Sequence, residues 1–453
     1  MSSVAGDHKI MTRRSSSVQL IIADAICDAN LSVTSDANSQ VALLLAQTKQ
    51  TLRVLAVGHE RDVLAHEAAP SAVRTDCSGH IILPALVNAH THLDLTHIGP
   101  QPYDPSDGFV SWVDMVRDGR RDEPDQIAEA VRQGCDLLKR GGVSLVGDIA
   151  GAPMGQPSLI PFEILAESGL GGVSYLEFFA IGTRTQSSVD RIRDLLEATP
   201  VKRRREIRLG LQPHAPNTVA PEAYLAAGKL AERFDLPLIT HLAESAEERQ
   251  FVAEGAGPQL ELIQRLGIWD ERSTAVFGKG SSPVQHLSAV LAGFDMSAVH
   301  VNQCSDDDLN LLALTNTPVV YCPRASEYFG AANSFGPHRY QEMMDRGITV
   351  ALGTDSIINL PPEEVATTGL SPLAEARLLY RRDKADPRLL LRMMTTSGAR
   401  VLCEPETRIL FSEGAAPAGI IAVEAIGAGD PLHRVMSSDA SPRWVAGADS
   451  FSR

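Results

Sequence analysis

The 453-residue chain is poor in cysteine, in positive charge and in long hydrophobic runs, and each shortage excludes a class of protein. Its six cysteines are scattered without a CxxC pair, which excludes a disulfide-stapled scaffold, and we expect them to be reduced. The 56 acidic side chains outnumber the 41 basic ones and give a formal charge of −15. An acidic surface repels phosphate backbones, so nucleic acid is not an expected partner.

No apolar run approaches the roughly 20 residues that a membrane helix requires, so no membrane partner is expected. The N-terminal region also lacks an apolar stretch of signal-peptide length. We therefore predict a cytoplasmic protein. Residues 1–16 are polar and rich in Ser and Arg, which predicts a disordered terminus.

Two patterns divide the rest of the chain. Residues 17–80 contain short β-like runs separated by Asn, Asp, Ser and Gly, which predicts a small β-rich domain. The apolar run at residues 419–426 is expected to add strands to it, so we assign residues 405–453 to the same flanking domain. The part beyond about residue 427 is polar and irregular and is given no role.

Residues 81–404 alternate short apolar runs with amphipathic segments, which is typical of repeated βα units. Eight apolar runs lie at residues 81–87, 143–149, 173–181, 207–211, 236–240, 298–301, 318–321 and 348–352. Helices are predicted at residues 222–233, 307–314 and 372–382. The pattern predicts a (β/α)8 TIM-type barrel with a β-rich flanking domain. A doubly wound sheet is the alternative, but no GxGxxG comes after the first run.

The first of these runs leads into His90-Thr91-His92. On an extended strand, residues two apart project to the same face, so two imidazoles can reach one metal ion. A lone HxH motif is often incidental, and its weight depends on the residue types at the ends of the other runs.

Polar groups also lie at the ends of the fifth, sixth and eighth runs. The fifth run leads to His241, with Glu244 three residues later, while His300 ends the sixth run and Asp355 comes after the eighth. Because the C-terminal strand ends of such a barrel form its catalytic face, we expect these side chains to converge with His90.

This HxH…HxxE…H…D series resembles the amidohydrolase superfamily, in particular its cytosine-deaminase-like aminohydrolase branch, over residues 18–426. The resemblance implies one divalent metal, with Zn²⁺ preferred and Fe²⁺ as the alternative. It implies as metal ligands His90, His92, His241 and Asp355. Binuclear members carry a carboxylated lysine where this chain has Gln212, so a single metal is expected.

The resemblance further implies hydrolytic deamination of a heterocyclic or nucleoside-like amine by a metal-bound hydroxide. Glu244 would shuttle the proton, His300 would orient the water and Asp355 would accept its proton. Hydrolysis of another C–N or a C–Cl bond in a ring compound is one alternative. A non-catalytic barrel scaffold is another, although scaffolds of this superfamily characteristically lose metal ligands. The branch commonly forms homodimers, but the sequence leaves the oligomeric state open.

Three residues are candidates for binding the small-molecule substrate. His214 lies in a Pro-His-Ala-Pro segment that resembles the one by which this branch positions its substrate. Glu177, in the third run, either binds substrate or is a buried structural carboxylate. Arg324 either faces the site, where it would favour a substrate with a carboxylate or phosphate, or pairs with an acidic side chain on the surface.

Trp112 is the fourth substrate-binding candidate. With Phe109 it forms a Phe-x-x-Trp stretch that resembles the aminodeoxyfutalosine deaminases, so a substrate of that type is our leading hypothesis. Those enzymes have Glu where this chain has Asp94. Alternatively, the two aromatic rings are the buried face of a helix.

Supporting positions complete the prediction. Asp94, His97 and Asp148 are candidates for residues that surround the site, and Cys322 is expected to be a packed core thiol. The sequence leaves open whether the segment at residues 255–296 is a lid, an oligomer contact or a tolerated insertion, and its Gly and Ser content favours a mobile loop.

Overall fold

The computed structural model of the chain describes residues 17–36, 39–48 and 51–447. The predicted disordered terminus lies outside the described residues. The strands, numbered along the chain, are β1 (Ser17–Cys27), β2 (Ser32–Thr34), β3 (Val41–Gln47), β4 (Leu52–His59), β5 (Val73–Pro84), β6 (Leu86–Thr91), β7 (Val143–Ala150), β8 (Gly171–Phe178), β9 (Arg203–Arg204), β10 (Ile207–Pro213), β11 (Leu238–Leu242), β12 (Met296–His300), β13 (Val319–Tyr321), β14 (Val350–Leu352), β15 (Gly419–Glu424) and β16 (Arg443–Gly447).

The α-helices are numbered in the same way. They are α1 (Glu60–Val63), α2 (Phe109–Gly119), α3 (Pro124–Arg140), α4 (Ile160–Glu167), α5 (Thr185–Ala198), α6 (Pro221–Phe234), α7 (Ala246–Glu254), α8 (Pro258–Arg265), α9 (Glu271–Val276), α10 (Pro283–His286), α11 (Ser288–Gly293), α12 (Asp306–Leu314), α13 (Pro323–Tyr328), α14 (Ala331–Phe335), α15 (Tyr340–Asp345), α16 (Pro362–Thr368), α17 (Pro372–Asp383), α18 (Pro387–Met393), α19 (Thr396–Val401) and α20 (Pro431–Ser437). Short 3₁₀ helices lie at Ala69–Ser71, Leu93–Ile98, Pro105–Asp107, Pro153–Gly155, Gly182–Arg184, Ile357–Asn359 and Glu406–Arg408.

Local sequence determines where several barrel helices begin. Proline occupies the first turn of α3, α6 and α17, where its missing N–H costs no helical hydrogen bond. Ser305 caps α12 and forms a capping box with Asp308. The three helices predicted from sequence correspond to α6, α12 and α17, with ends displaced by at most one residue.

Eight parallel strands form the barrel. Their order is β6, β7, β8, β10, β11, β12, β13 and β14, and an isolated parallel bridge between Thr91 and Asp355 brings the last strand back to the first. Strands β7 and β8 are buried along their whole length, as expected when helices cover one face and the barrel interior the other. The predicted (β/α)8 barrel is confirmed.

Small and branched side chains fill the barrel interior. One hydrophobic cluster takes residues from seven of the eight strands, namely Val87, Leu145, Val173, Ile239, Val299, Val320 and Ala351. Because neighbouring strands contribute side chains to a shared layer, the interior is a packed core below the site rather than a channel.

The two chain ends build a separate flanking sheet. Its strand order is β16, β15, β5, β1, β3 and β4, with β2 paired to β1. Strands β1 and β5 are parallel and the other pairs are antiparallel. The sheet has a core of its own, which includes Ile21, Leu43, Val54, Ile82 and Ile420. The predicted β-rich flanking unit is therefore present.

The first predicted run, residues 81–87, belongs to two strands rather than one. Residues Ile81 to Pro84 pair with β15 in the flanking sheet, and the barrel strand β6 begins only at Leu86. Apolar composition cannot separate them, because both strands are buried. The C-terminal region also differs from its irregular appearance, since α20 and β16 pack there.

The expectation of a mobile loop at residues 255–296 is wrong. The segment contains four short helices, α8 to α11, and with α7 it encloses its own aromatic core. The ring of Phe277 lies 4.5 Å from that of Phe251 and 6.1 Å from that of Trp269. These apolar contacts outweigh the local preference of Gly and Ser for loops. No helix within the described part of the chain is long and apolar enough to cross a membrane.

Candidate active site

An irregularity in β6 directs two histidines into the barrel. Ala89 packs in the interior cluster, and the pairing of β6 with β7 shifts register between Asn88 and Thr91. Neighbouring residues of a regular strand face opposite sides, so this shift allows His90 to face the interior as well. His90 Nε2 and His92 Nε2 then lie 3.4 and 3.5 Å from Oδ1 of Asp355, which comes just after β14.

Further contacts gather the predicted ligands at one point. His241 Nε2, from β11, lies 3.3 Å from His90 Nε2. Donor atoms of His90, His92 and Asp355 lie within 4.8 Å of one another, and so do those of His90, His241 and His300. Imidazoles with one carboxylate are a donor set that suits Zn²⁺ or Fe²⁺, so these residues could hold one divalent cation.

Burial and neighbouring side chains shift the pKa values of the clustered histidines and of Asp355. It lowers the pKa of His92 and of His300 to about 3, and that of His241 well below its usual value. The imidazoles of His92, His241 and His300 are therefore neutral at pH 7, the form that binds metals. Although burial opposes ionisation of Asp355, its contacts with His90 and the other imidazoles lower its pKa below the usual range.

Glu244 is the second carboxylate of the cluster and differs electrostatically from the first. Its Oε1 lies 3.5 Å from His300 Nε2. Burial and the nearby Asp355 raise the pKa of Glu244 well above its usual value. The raised pKa favours the protonated carboxyl, the form that can act as a proton donor.

Two residues that sequence reasoning missed hold Glu244 in place. Glu248 accepts a 2.7 Å hydrogen bond from the Glu244 backbone N–H. Asn302 donates a 3.0 Å hydrogen bond to the Glu244 carbonyl. Glu248 lies four residues beyond Glu244, so the sequence spacing alone could have indicated a contact between them. Asn302 comes after the next barrel strand, β12, and no local spacing predicts its contact.

Left-handed backbone conformations mark three of the strand ends that carry the site. The positive φ angles are 54° at Ala243, 73° at His300, 52° at Val301 and 55° at Asp355. Residues with a Cβ rarely adopt this conformation, and functional sites are where such strain is concentrated. The strain turns each chain at the barrel mouth so that polar side chains face its centre.

The fourth strand end carries an amide. Gln212, in β10, has its Nε2 within 3.2 Å of His241 Nε2. An amide cannot supply the anionic bridge that a carboxylated lysine offers to two cations. The donor set present therefore fits one divalent cation.

His214 and Glu177 lie side by side next to the cluster. The Thr218 hydroxyl donates to the Ala215 carbonyl, so His214 Nδ1–H donates to that hydroxyl, at 2.7 Å. This assignment leaves His214 Nε2 as an acceptor, 4.0 Å from Oε1 of Glu177. His214 is partly exposed, whereas Glu177 is buried.

A partly buried arginine that sequence reasoning missed holds Glu177. Arg120, directly after α2, lies 3.4 Å from Glu177 Oε2 and 2.9 Å from Asp94 Oδ2. Despite the burial of Glu177, this guanidinium and His214 lower its pKa, so the carboxylate is ionised. Glu177 has structural partners, as the interpretation of a buried structural carboxylate requires. It also has one oxygen facing His214, as substrate binding requires, so each interpretation is supported by one contact. Arg120 is far from Asp94 and Glu177 in the sequence, so no local pattern could predict these ion pairs.

The whole barrel matches one family model. Residues 81–403 match the model described as Amidohydrolase family. The chain belongs to the amidohydrolase family. It is therefore an enzyme of the hydrolase type that acts on carbon–nitrogen bonds, as the resemblance implied.

This amidohydrolase is similar over most of its length to named deaminases, two by sequence and one by structure. The chain is 30% identical over 365 residues to an aminodeoxyfutalosine deaminase of Deinococcus radiodurans, covering 77% of this chain and 79% of the relative. It is 25% identical over 393 residues to a 5-methylthioadenosine/S-adenosylhomocysteine deaminase of Nitratidesulfovibrio vulgaris, covering 84% and 80%. The Helicobacter pylori aminofutalosine deaminase structure superposes with a TM-score of 0.70 at 18% identity, covering 93% of this chain and 95% of that one.

Arg324 of the amidohydrolase is engaged by carboxylates of its own chain. Its Nη2 lies 2.5 Å from Glu364 Oε2 and its Nη1 lies 3.5 Å from Glu375 Oε1. The structure therefore realises the ion-pair alternative, with Glu375 buried rather than on the surface. Since its charge is already neutralised, a substrate anion would have to compete with two carboxylates.

Trp112 lies in an aromatic cluster on α2. The rings of Phe109 and Trp112 are 5.4 Å apart, and each lies 5.1 Å from Phe329. Phe329 packs against the interior cluster of the barrel. The aromatic face of α2 is thus partly buried, as the packing alternative predicts.

Two of the supporting positions hold the segment that comes after β6. Asp148 Oδ1 accepts a 3.1 Å hydrogen bond from the Leu93 N–H, and burial raises the pKa of Asp148 to about 8. His97 lies within hydrogen-bonding distance of the carbonyls of Asp94 and Gly119, so it joins the segment after β6 to the end of α2.

Cys322 is buried, as predicted, and its burial raises the thiol pKa well above its usual value. A thiol with a raised pKa is a poor nucleophile.

Proposed function

We propose that this amidohydrolase is a hydrolytic deaminase of a nucleoside-like amine. A single divalent cation would be held by His90, His92, His241 and Asp355, with Zn²⁺ preferred over Fe²⁺. The observation that carries the proposal is Glu244, a carboxyl of raised pKa placed 3.5 Å from His300 beside the histidine cluster.

The residues divide the proton transfers between them. A divalent cation supplies Lewis acidity, which lowers the pKa of a water molecule towards about 7. His300 orients this water, and Asp355, whose lowered pKa keeps it ionised, accepts its proton. Glu244 donates its proton to a ring nitrogen of the substrate, takes up the proton that Asp355 accepted from water and passes it to the departing ammonia. The hydroxyl proton of the adduct, lost as the carbonyl forms, then returns Glu244 to its protonated state.

The proposed substrate is of the aminodeoxyfutalosine type. This proposal is supported by the similarity to the Deinococcus radiodurans relative and by the aromatic face of α2, which suits a purine ring. The acceptors His214 Nε2 and Glu177 Oε1, 4.0 Å apart, suit the hydroxyl groups of a sugar.

Ammonia release tests the proposal. Purified enzyme loaded with zinc is offered aminodeoxyfutalosine, 5-methylthioadenosine, adenosine, guanine, a pterin and a chlorinated triazine. We expect ammonia from the purine nucleosides, fastest from aminodeoxyfutalosine. Chloride release from the triazine alone would favour the C–Cl alternative, and no ammonia from any compound would defeat the deaminase proposal.

Metal content separates the enzyme from a scaffold. We expect about one equivalent of zinc or iron per chain by elemental analysis, because the donor set is complete. A content far below one equivalent after growth with added metal would favour a scaffold. The homodimer that the resemblance implies stays a prediction, which size-exclusion chromatography with light scattering would test.

A further inference from the structure

The turn after β12 is the most strained part of the site. His300 and Val301 are consecutive residues with φ angles of 73° and 52°. A left-handed conformation is unfavourable for any residue with a Cβ and more so for a β-branched one. Two such residues in a row persist only when their surroundings impose them.

Two adjacent side chains from a distant loop bind this turn. His338 Nε2–H donates a 2.8 Å hydrogen bond to the carbonyl oxygen of His300. The next residue, Arg339, donates a 3.0 Å hydrogen bond to the carbonyl of Cys304. Two adjacent residues of the loop between α14 and α15 therefore hold both ends of the turn at residues 300–304.

His338 is itself held in place. Its ring stacks on Tyr321 with centroids 3.8 Å apart and planes inclined by 15°. The Tyr321 hydroxyl accepts a 3.1 Å hydrogen bond from Arg382. Burial lowers the pKa of His338 to about 4, so the neutral ring has a single N–H at pH 7. Since Nε2 donates it, the tautomer is determined.

The carbonyl that His338 binds and the catalytic imidazole belong to the same residue. His300 Nε2 lies 3.5 Å from Glu244 Oε1, and the His300 ring centroid lies 5.4 Å from that of His241. Rotation of the strained peptide would turn the Cα–Cβ bond of His300 and move this imidazole. A displacement of about 1 Å at a catalytic group can cost 10²-fold in rate.

We propose that His338 is a positioning residue of this enzyme, whose N–H holds the left-handed peptide at His300 and thereby aims the His300 imidazole at Glu244. The inference rests on the proposed function, which gives His300 its role of orienting water. The hydrogen bond of His338 goes to the backbone of His300 rather than to its imidazole, so His338 acts through the position of that residue.

Two substitutions separate the hydrogen bond from the packing. His338→Phe keeps a flat ring against Tyr321 but removes the donor, whereas His338→Gln keeps an N–H donor and loses the ring. On the zinc-loaded enzyme we expect His338→Phe to lower kcat by ~10- to 100-fold with KM nearly unchanged. His338→Gln should recover most of kcat, and both variants should bind zinc normally.

Crystal structures of the two zinc-loaded variants give a readout that does not depend on turnover. We expect His300 to leave the left-handed region in His338→Phe and to keep it in His338→Gln. An unchanged φ at His300 in His338→Phe, or equal losses of kcat and thermal stability in both variants, would overturn the inference. Absence of turnover in the wild-type enzyme would contradict the proposed function instead, and the crystal structures would still decide the role of His338.

Discussion

At the scale of single residues, the site shifts the pKa values of two neighbouring carboxyl groups, Asp355 and Glu244, in opposite directions. Imidazole contacts lower the pKa of Asp355, whereas burial near other carboxylates raises the pKa of Glu244. Environments that move two pKa values apart assign one group as base and the other as acid. The histidines matter here twice, as metal ligands and as the partners that keep Asp355 ionised.

Glu244→Gln tests the acid. We expect kcat to fall by ~10²- to 10⁴-fold, since an amide cannot transfer the proton, with the zinc content unchanged in elemental analysis. Glu232→Gln is the matched control, because Glu232 is exposed on α6, away from the strand ends that carry the site. Retained turnover in Glu244→Gln would refute the assignment.

Asp148→Asn tests the effect of burying a carboxyl group without a cation. Burial raises the pKa of Asp148 from 3.8 to about 8, so between these values the folded chain holds a proton that the unfolded chain has released. The free energy of unfolding of the wild-type protein therefore falls as pH rises through this window, by at most about 1.4 kcal/mol per pH unit from this group.

The variant lacks this penalty. Its free energy of unfolding relative to wild type should therefore increase from about pH 4 to pH 8 and be constant above, in urea unfolding of the metal-free proteins. The exposed Asp345, replaced by Asn, is the control and should leave the pH dependence of stability unaltered. A difference between Asp148→Asn and wild type that does not vary with pH would contradict the raised pKa.

At the scale of elements, α2 is fastened at both ends beside the site. Its first N–H, from Phe109, donates to Glu247, which lies three residues beyond Glu244. Its last turn leads to Arg120, which binds Asp94 and Glu177. The helix with the aromatic face is thus coupled to the acid at one end and to a substrate-binding candidate at the other.

Gly151→Ala tests the contacts at the C-terminal end of α2, where Arg120 binds Asp94 and Glu177. An added Cβ would lie 1.9 Å from Arg120 Nη2 and 2.4 Å from Asp94 Oδ2, so the ion pair must move. We expect a loss of about 1–3 kcal/mol in the free energy of unfolding and a raised KM, because Glu177 loses its alignment. Thermal unfolding and steady-state kinetics measure both.

Gly293→Ala is the matched control. Gly293 is the last residue of α11, and no heavy atom lies within 4 Å of its added Cβ. Stability and KM should be unaffected. If Gly151→Ala behaves in the same way, Arg120 does not position Glu177.

At the scale of the whole molecule, the proposed cation would join strands that are far apart in the sequence. Its predicted ligands come from the ends of β6 and β14, which meet where the barrel closes, and from β11 on the other side of the barrel. An ion bound only by the folded chain stabilises it by about 2.7 kcal/mol when its free concentration is 100 times Kd. The barrel and its site are thus expected to be thermodynamically linked.

Metal removal tests this linkage. Dialysis against a chelator should abolish turnover and lower Tm by several degrees, and added Zn²⁺ should restore both. A His90→Ala/His92→Ala double variant is the control, and its Tm should respond to neither treatment. A wild-type Tm that is independent of metal, at a verified content below about a tenth of an equivalent, would contradict the linkage.

The residues of the site were predictable where topology alone gathers them. Parallel strands of a barrel end at one face, so polar residues at the ends of apolar runs meet there, and His90, His241, His300 and Asp355 do meet. The boundary at residues 84–86 was not predictable, because flanking and barrel strands are equally apolar.

The sequence by itself determined the barrel, the family and the histidines at the strand ends, because alternation of apolar runs and the position after each run are local properties. Only the tertiary structure decided the partners of Glu177 and His300. Arg120 and His338 reach these residues from loops more than thirty positions away, and folding, not spacing, brings them together. The tertiary structure also decided between the two interpretations of Arg324, because carboxylates of two later helices bind its charge.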